Sequence, residues 1–276
     1  MAEAGFTPVR VAVLASQSAP GIDALIADPN RGRLYDIAAV LGTECDLAQS
    51  KTLEAAGIPL ILRPFVQFQR DRGLSLRNLR AREEYDHETA EQLQRLHVDH
   101  VFLSGYRYIV TEPLLAAFPM RVVALHEGDL TLFDEDGSRR YTGPHPVSDA
   151  IIDGRDETRS TMYFLTRDIG CGPVFLLSDP FPVAPMAMDA RAWGDADLLF
   201  AYAELHQRGR VRAAGGAMLA KAIEFLAIGT VQIVRDIAWI DGVPGPCRLG
   251  HSPAICSQRQ PAISRSVPAS CPLIHD

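Results

Sequence analysis

The chain has 276 residues, 47% of them hydrophobic and 22% charged, with a formal net charge of −7. This suits one domain of about 200–250 residues with a real core. The negative balance, with no Lys/Arg-dense tract, argues against nucleic acid as the main partner. No charged leader precedes a long apolar run, and Val11 to Ala15 is too short to span a bilayer, so a cytoplasmic protein without membrane association is expected. The five cysteines, Cys45, Cys171, Cys247, Cys256 and Cys271, form no CxxC pair. Reduced thiols are therefore expected, rather than a disulfide framework or a zinc knuckle.

The run Arg10 to Ala15 is β-branched and apolar and predicts a buried first strand. Gly21 to Ile26 has apolar residues at helical spacing. Tyr35 to Gly42 predicts a second strand, Leu47 to Ala56 a short helix stopped by Gly57, and Pro59 to Leu62 a third strand. From Arg80 to Leu96 the residues Tyr85, Thr89, Leu93 and Leu96 share one face, which predicts an amphipathic helix with a solvated charged side. His100 to Gly105 and Met120 to Leu125 predict two more buried strands. Ser160 to Thr166 and Pro173 to Leu177 predict a strand pair around the turn Asp168 to Gly172. Asp195 to Leu226 is mostly helical, with Gly209 and Gly215-Gly216 as interruptions. Val231 to Asp241 adds a terminal strand. Strands alternating with helices over short connections predict an α/β, doubly wound, mostly parallel central sheet. The domain is expected over residues 8–242. The Pro/Ser/Cys/Gly-rich stretch 243–276 is expected to be a disordered tail.

Three segments carry candidate chemistry: the strand Val122-Val123-Ala124-Leu125-His126, the loop Gly143-Pro144-His145-Pro146, and the turn Thr166-Arg167-Asp168-Ile169-Gly170-Cys171-Gly172-Pro173-Val174. A histidine ending a buried strand points to a functional imidazole. Glu127 and Asp129 follow it directly on the loop, with solvent-exposed loop carboxylates as their plain alternative, and His145 lies in the Gly/His loop. With His126 they also make an oxygen/nitrogen metal set, but its spacing fits no metal motif, so no metal is expected. Asp168 is either a turn carboxylate bonding local backbone or a partner for His126. Ser16-Gln17-Ser18-Ala19-Pro20-Gly21 is either a simple turn and N-cap or an anion-binding loop in which Ser16 and Ser18 offer hydroxyls. The sixteen residues between His126 and Gly143 include Leu130 to Tyr141, which predicts a hairpin with an acidic Asp/Gly tip.

The order of these motifs, with Arg82-Glu83-Glu84-Tyr85-Asp86 opening a helix and Ser104-Gly105-Tyr106-Arg107-Tyr108-Ile109-Val110 after a strand, resembles the folate-dependent formyltransferase family. The likeness runs over roughly residues 10–241 and covers both the phosphoribosylglycinamide formyltransferase type and the N-terminal domain of the methionyl-tRNA type. It implies a Rossmann-like formyltransferase fold in one-carbon metabolism. It also implies 10-formyltetrahydrofolate as formyl donor and an amine of a small metabolite as acceptor. By the same resemblance the family histidine falls on His126, its oxyanion-binding Asn on Ala124, and its orienting Asp on Gly170, with Asp168 the nearest surviving carboxylate. Tyr106, Arg107, Tyr108, Ile109 and Val110 fall on the pterin-contacting loop, and His145 on a loop near the folate. Losing one oxyanion donor typically costs about 10²–10³ in rate. Two alternatives therefore stand beside transfer: hydrolysis of formyl-folate or another acyl donor, and folate or ligand binding without catalysis.

Overall fold

The computed structural model describes residues 7–75 and 79–250. Strand β1 (Val9–Ala15) forms because Val11 to Ala15 are buried on both faces, as a central parallel strand requires. The chain continues through α1 (Ile22–Ala27), β2 (Tyr35–Gly42), α2 (Ser50–Ala55), β3 (Leu60–Leu62) and α3 (Phe65–Asp71). Helix α2 starts later than the apolar pattern suggests, because Asp46 accepts from Leu47 N at 2.7 Å and from Ser50 Oγ at 2.9 Å and holds a turn there. Helix α4 (Leu79–Arg95) buries Tyr85, Thr89 and Leu93, three residues of the expected apolar face. Then come β4 (His100–Leu103), α5 (Glu112–Ala117), β5 (Val122–His126), α6 (Pro146–Ile152), β6 (Glu157–Thr158), β7 (Thr161–Phe164), β8 (Val174–Leu177) and β9 (Phe181–Pro182). The rest is α7 (Pro185–Trp193), α8 (Ala196–His206), a π-helical segment Gln207–Val211, a 3₁₀ turn Arg212–Ala214, α9 (Gly215–Ala227) and the short strands β10 (Val231–Val234), β11 (Ile237–Ile240), β12 (Val243–Pro244) and β13 (Cys247–Arg248).

Eight strands make one sheet in the order β13-β8-β7-β5-β4-β1-β2-β3. The pairs β1/β2, β1/β4, β2/β3, β4/β5 and β8/β13 are parallel, and β7/β8 is antiparallel. This is the doubly wound, mostly parallel, Rossmann-like α/β fold that the alternation of elements predicts. The chain divides into two compact units. One is built on residues up to Ala124 with Phe164–Arg167 and Ile223–Ile228, and the other on Leu125–Tyr163, Asp168–Ala222 and the residues from Gly229 on. In the first, Ala12, Leu14, Leu41, Val101 and Val122 of the strands pack with Leu93 of α4 and Leu114 and Phe118 around α5. In the second, Val147 and Ile151 of α6 pack with Ala187 and Ala190 of α7, Leu199 and Ala203 of α8, and Val211.

Two features depart from the sequence expectations. The terminal strand is a hairpin, β10 with β11, because Arg235 and Asp236 both take positive φ (51° and 60°), the geometry of a tight I′ turn. Regular structure also passes residue 242: β12 pairs with β11 and β13 with β8, Cys247 lying opposite Leu176. Cys247 is buried, so a short apolar contact fixes a segment whose composition suggests a tail; the rest of the expected tail, 251–276, lies outside the described residues. Among the described residues Cys45 and Cys247 are free thiols. Among the described residues no helix is long and apolar enough to cross a membrane.

Candidate active site

Strand β5 ends in His126, half-buried, with Ala124 two residues earlier buried in the strand. The His126 Nε2 lies 2.7 Å from the backbone carbonyl of Tyr141. A carbonyl can only accept, so Nε2 donates and the neutral imidazole leaves its lone pair on Nδ1. Burial pushes the imidazole below the ordinary histidine value. The Tyr141 hydrogen bond and the Glu127 charge oppose that push, and the Arg139 charge adds to it. Gly128 makes this geometry possible. A Cβ there would sit 2.8 Å from Pro146 Cβ, 2.9 Å from the Tyr141 carbonyl oxygen and 3.0 Å from His126 Nε2. Only a residue without a side chain lets the three groups meet.

The loop after β5 is the hairpin expected from its Asp/Gly tip. Phe133 bridges Arg139, Asp134 N donates to Ser138 O at 2.8 Å, and Arg140 N donates to Leu132 O at 2.9 Å. Its return arm is held at two points. Arg139 Nη1 donates to Gly170 O at 2.6 Å and Gly172 O at 2.9 Å; Arg140 Nη2 and the Tyr141 hydroxyl reach Asp153 at 2.6 and 3.1 Å. Tyr141 itself takes φ +55°, and Gly170 takes φ +73°. Glycine at 170 thus suits the backbone of the turn, where any side chain would be strained.

The other candidates around His126 separate into distinct settings. Glu127 accepts from Gln207, at the start of the π-helical segment, and from Arg212 Nε at 2.8 Å. Segments of π-helix are frequent at functional sites. Asp129 closes a local turn by accepting from Thr131 N at 2.9 Å and Thr131 Oγ1 at 2.5 Å, with Arg159 Nε 3.8 Å away. His145 is exposed at the N-cap of α6, where its carbonyl accepts from Asp149 N at 2.9 Å. Asp168 is exposed, and its carbonyl accepts from Cys171 N at 3.1 Å. Tyr141, Gly128, Arg139, Gln207 and Arg212 were not singled out from sequence for roles at this site. Among the described residues no group of three or more His, Cys, Asp or Glu is arranged to hold a metal ion, so the metal alternative on His126, Glu127, Asp129 and His145 finds no cluster.

In the first unit, the loop after β4 is joined to the loop after β1. Ser16 Oγ accepts from Thr43 Oγ1 at 3.0 Å and from Arg107 N at 3.1 Å, and Ser104 Oγ donates to Pro20 O at 2.5 Å. Gly105, at φ +66°, has the Ser18 carbonyl oxygen only 2.3 Å from where a Cβ would stand. Ser16 is thus engaged within the protein, and Ser18 contributes its backbone to this packing. Helix α1 behind the loop has only six residues.

Tyr106 and Tyr108 join Phe65 and Tyr85 in a cage around the Arg82 guanidinium, whose carbon lies 4.7–5.6 Å from the four ring centres. Arg82 also bonds Asp86 and the Tyr106 hydroxyl. Asp86, fully buried, accepts from Thr111 N and Thr111 Oγ1, both at 2.7 Å. Burial pushes the Asp86 carboxyl above its usual range against the pull of Arg82 and Thr111. The Arg82 Nε and Nη1 are buried without an acceptor. Arg107 pairs with Glu44 at 3.3 Å, Ile109 is 55% exposed and Val110 half-buried.

The family model described as "Formyl transferase" matches residues 9–190. The chain is 25% identical over 179 residues to the trifunctional purine biosynthetic protein adenosine-3 of Drosophila melanogaster, covering 64% of this chain and 12% of that protein. It is 25% identical over 162 residues to phosphoribosylglycinamide formyltransferase of Escherichia coli, covering 59% of this chain and 65% of the relative. A formyltetrahydrofolate deformylase of Escherichia coli is 24% identical over 168 residues, covering 60% of this chain and 52% of the relative. The chain therefore spans less than two thirds of each of these relatives. Among solved structures, glycinamide ribonucleotide transformylase 1 from Symbiobacterium toebii aligns with TM-score 0.67 at 24% identity, covering 86% of this chain and 99% of that one. A formyltetrahydrofolate deformylase from Pseudomonas syringae aligns with TM-score 0.62 at 17% identity, covering 85% and 66%. These two structures share the fold.

Proposed function

The chain belongs to the formyl transferase family, and from that premise we propose that it is a cytoplasmic one-carbon transferase that moves a formyl group from 10-formyltetrahydrofolate to an amine of a small metabolite. The observation that carries this reading is His126. It ends a buried strand, its Nε2 is held by a carbonyl, and its Nδ1 is left with a lone pair at a pH where burial keeps the ring neutral. The folate donor is assigned to the loop Tyr106 to Val110, where Ile109 offers an exposed apolar surface.

A bound formyl donor supplies an electrophilic carbonyl carbon. As an amine bonds to that carbon, His126 Nδ1 takes the proton the amine sheds. The protonated imidazole then returns that proton to the departing folate nitrogen as the old carbon–nitrogen bond breaks, so the products are a formamide and tetrahydrofolate. Ala124 and Gly170 have no side chain able to donate to an oxyanion or to hold an imidazole. The tautomer of His126 is set by Tyr141, and Asp168 is assigned to the turn beside it as a supporting carboxylate. His145, Glu127 and Asp129 are assigned to the acceptor side.

A second reading has a specific basis: formyltetrahydrofolate deformylases match this chain at nearly the same identity as the transferases. In that reading water replaces the amine and formate leaves. One experiment separates the two. Purified protein is mixed with 10-formyltetrahydrofolate, with and without a panel of small amines, and folate absorbance is followed. Transfer predicts amine-dependent turnover abolished in His126→Ala. Amine-independent release of formate gives hydrolysis instead, and binding without turnover removes the catalytic reading altogether.

A further inference from the structure

The sixteen-residue loop between His126 and Gly143 does more than cover a surface. Tyr141, whose carbonyl holds the imidazole, sits two residues after Arg139, whose guanidinium donates to Gly170 O at 2.6 Å and Gly172 O at 2.9 Å. Both residues lie on the return arm of the hairpin, paired to the outgoing arm by Arg140 N to Leu132 O at 2.9 Å. Arg139 is half-buried, and its second anchor point, the turn, is fixed by the positive φ of Gly170. We propose that this return arm does the orienting of His126 that a carboxylate would otherwise do: the Tyr141 carbonyl holds the imidazole, and Arg139, clamped on the Gly170–Gly172 turn, is the positioning residue that keeps that carbonyl in place. This rests on His126 being the working residue of a formyl transferase family enzyme.

A backbone carbonyl has no rotamer, so its direction is set only by the anchoring of its chain, and a long loop needs such anchors to hold a catalytic geometry within tenths of an ångström. One guanidinium nitrogen that donates to two carbonyls of a turn fixes both distance and direction, and arginine stays charged at every working pH. A neutral carbonyl also orients the ring without adding a negative charge, so the imidazole stays less basic than one paired with a carboxylate. The charged groups acting on His126 are Glu127, itself bound by Gln207 and Arg212, and Arg139. Arg139 therefore acts on the ring through geometry and charge in the same direction, toward a neutral imidazole protonated on Nε2.

The test uses the full chain and nitrogen-15 NMR of the His126 ring, together with steady-state turnover of 10-formyltetrahydrofolate. In the native protein a single Nε2-protonated tautomer is expected. In Arg139→Met, loss of the clamp should give a mixture of tautomers and a His126 titration shifted upward toward the ordinary value. kcat should fall by about 10²-fold while KM changes by less than about threefold. Arg139→Lys keeps the cation and a donor, so native tautomer and kcat within about tenfold of native are expected. If Arg139→Met does not fold, Arg139→Gln, neutral and shorter, carries the same expectations. A folded Met or Gln variant with the native tautomer and titration overturns the proposal. The NMR result stands without turnover, so a native protein that turns over no formyl donor would sink the enzymatic reading while the ring signals still decide the role of Arg139.

Discussion

Two buried polar clusters in this chain solve the same problem in opposite ways. Around Arg82 a full charge pair is taken out of water: Asp86 is fully buried, accepts from Thr111 twice, and faces a guanidinium caged by four aromatic rings, two of whose N–H groups are left without acceptors. At His126 itself the contact is between neutral groups. A neutral ring leans on one backbone carbonyl, and the neighbouring charges are paired off elsewhere, Glu127 with Arg212 and Arg140 with Asp153. The first arrangement is costly to assemble and costly to damage, because removing one partner strands the other. The second strands no full charge when a neighbour is lost but depends on backbone position, so it is sensitive to volume and to the anchoring of the loop that carries the carbonyl. Stability is therefore concentrated at Arg82 and Asp86, and geometry at His126.

The largest effect should come from breaking the charged cluster. Asp86→Ala leaves the Arg82 guanidinium buried and uncompensated and should cost about 3–5 kcal/mol in urea unfolding; a loss below about 1 kcal/mol would mean that Arg82 escapes to water. The corresponding break at the neutral cluster is Gly128→Ala. The new methyl must displace Pro146, the Tyr141 carbonyl or the His126 ring, so turnover should fall by about 10²-fold, equivalent to about 2.7 kcal/mol in the barrier, while unfolding changes much less. Equal losses in stability and rate would erase the contrast between the clusters. A smaller effect is expected from Thr111→Val, which removes the hydroxyl that Asp86 accepts from but keeps the backbone donor, at about 1.5–3 kcal/mol in the same unfolding assay. The smallest should be Tyr141→Phe. It deletes the hydroxyl bond to Asp153 but leaves the carbonyl on His126, so stability should drop by about 1 kcal/mol and turnover should stay within about threefold.

The sheet was legible because its strands are short runs such as Val11 to Ala15 and Val122 to Leu125, whose burial on both faces demands near-continuous apolar sequence. Helix α7 was not read from the sequence, although Pro185 at its first turn is the usual signature of a helix start. The β10/β11 turn gave no signal, since Arg235 is not a residue that favours positive φ. The position of His126 at a strand end could be seen. Its partner could not, because a backbone carbonyl at Tyr141 leaves no mark in residue type. The bonds from Glu127 to Gln207 and Arg212 span 80 and 85 residues, beyond the reach of any local pattern. Gly170 reads as a lost carboxylate by resemblance, and the structure adds a backbone reason for glycine there, the positive φ of the turn.

The pH dependence of formyl-donor turnover tests the central claim, a neutral His126 acting as base under a carbonyl rather than a carboxylate. Burial holds its pKa below the ordinary 6.5, so the base-competent form is complete above that value and is lost as pH falls through the depressed pKa. The expected profile of kcat rises with pH on a single limb with its midpoint below 6.5, then stays level through pH 8. A rate that declines as pH rises from 6 to 8 would show that the protonated imidazole is the working form and would contradict this account.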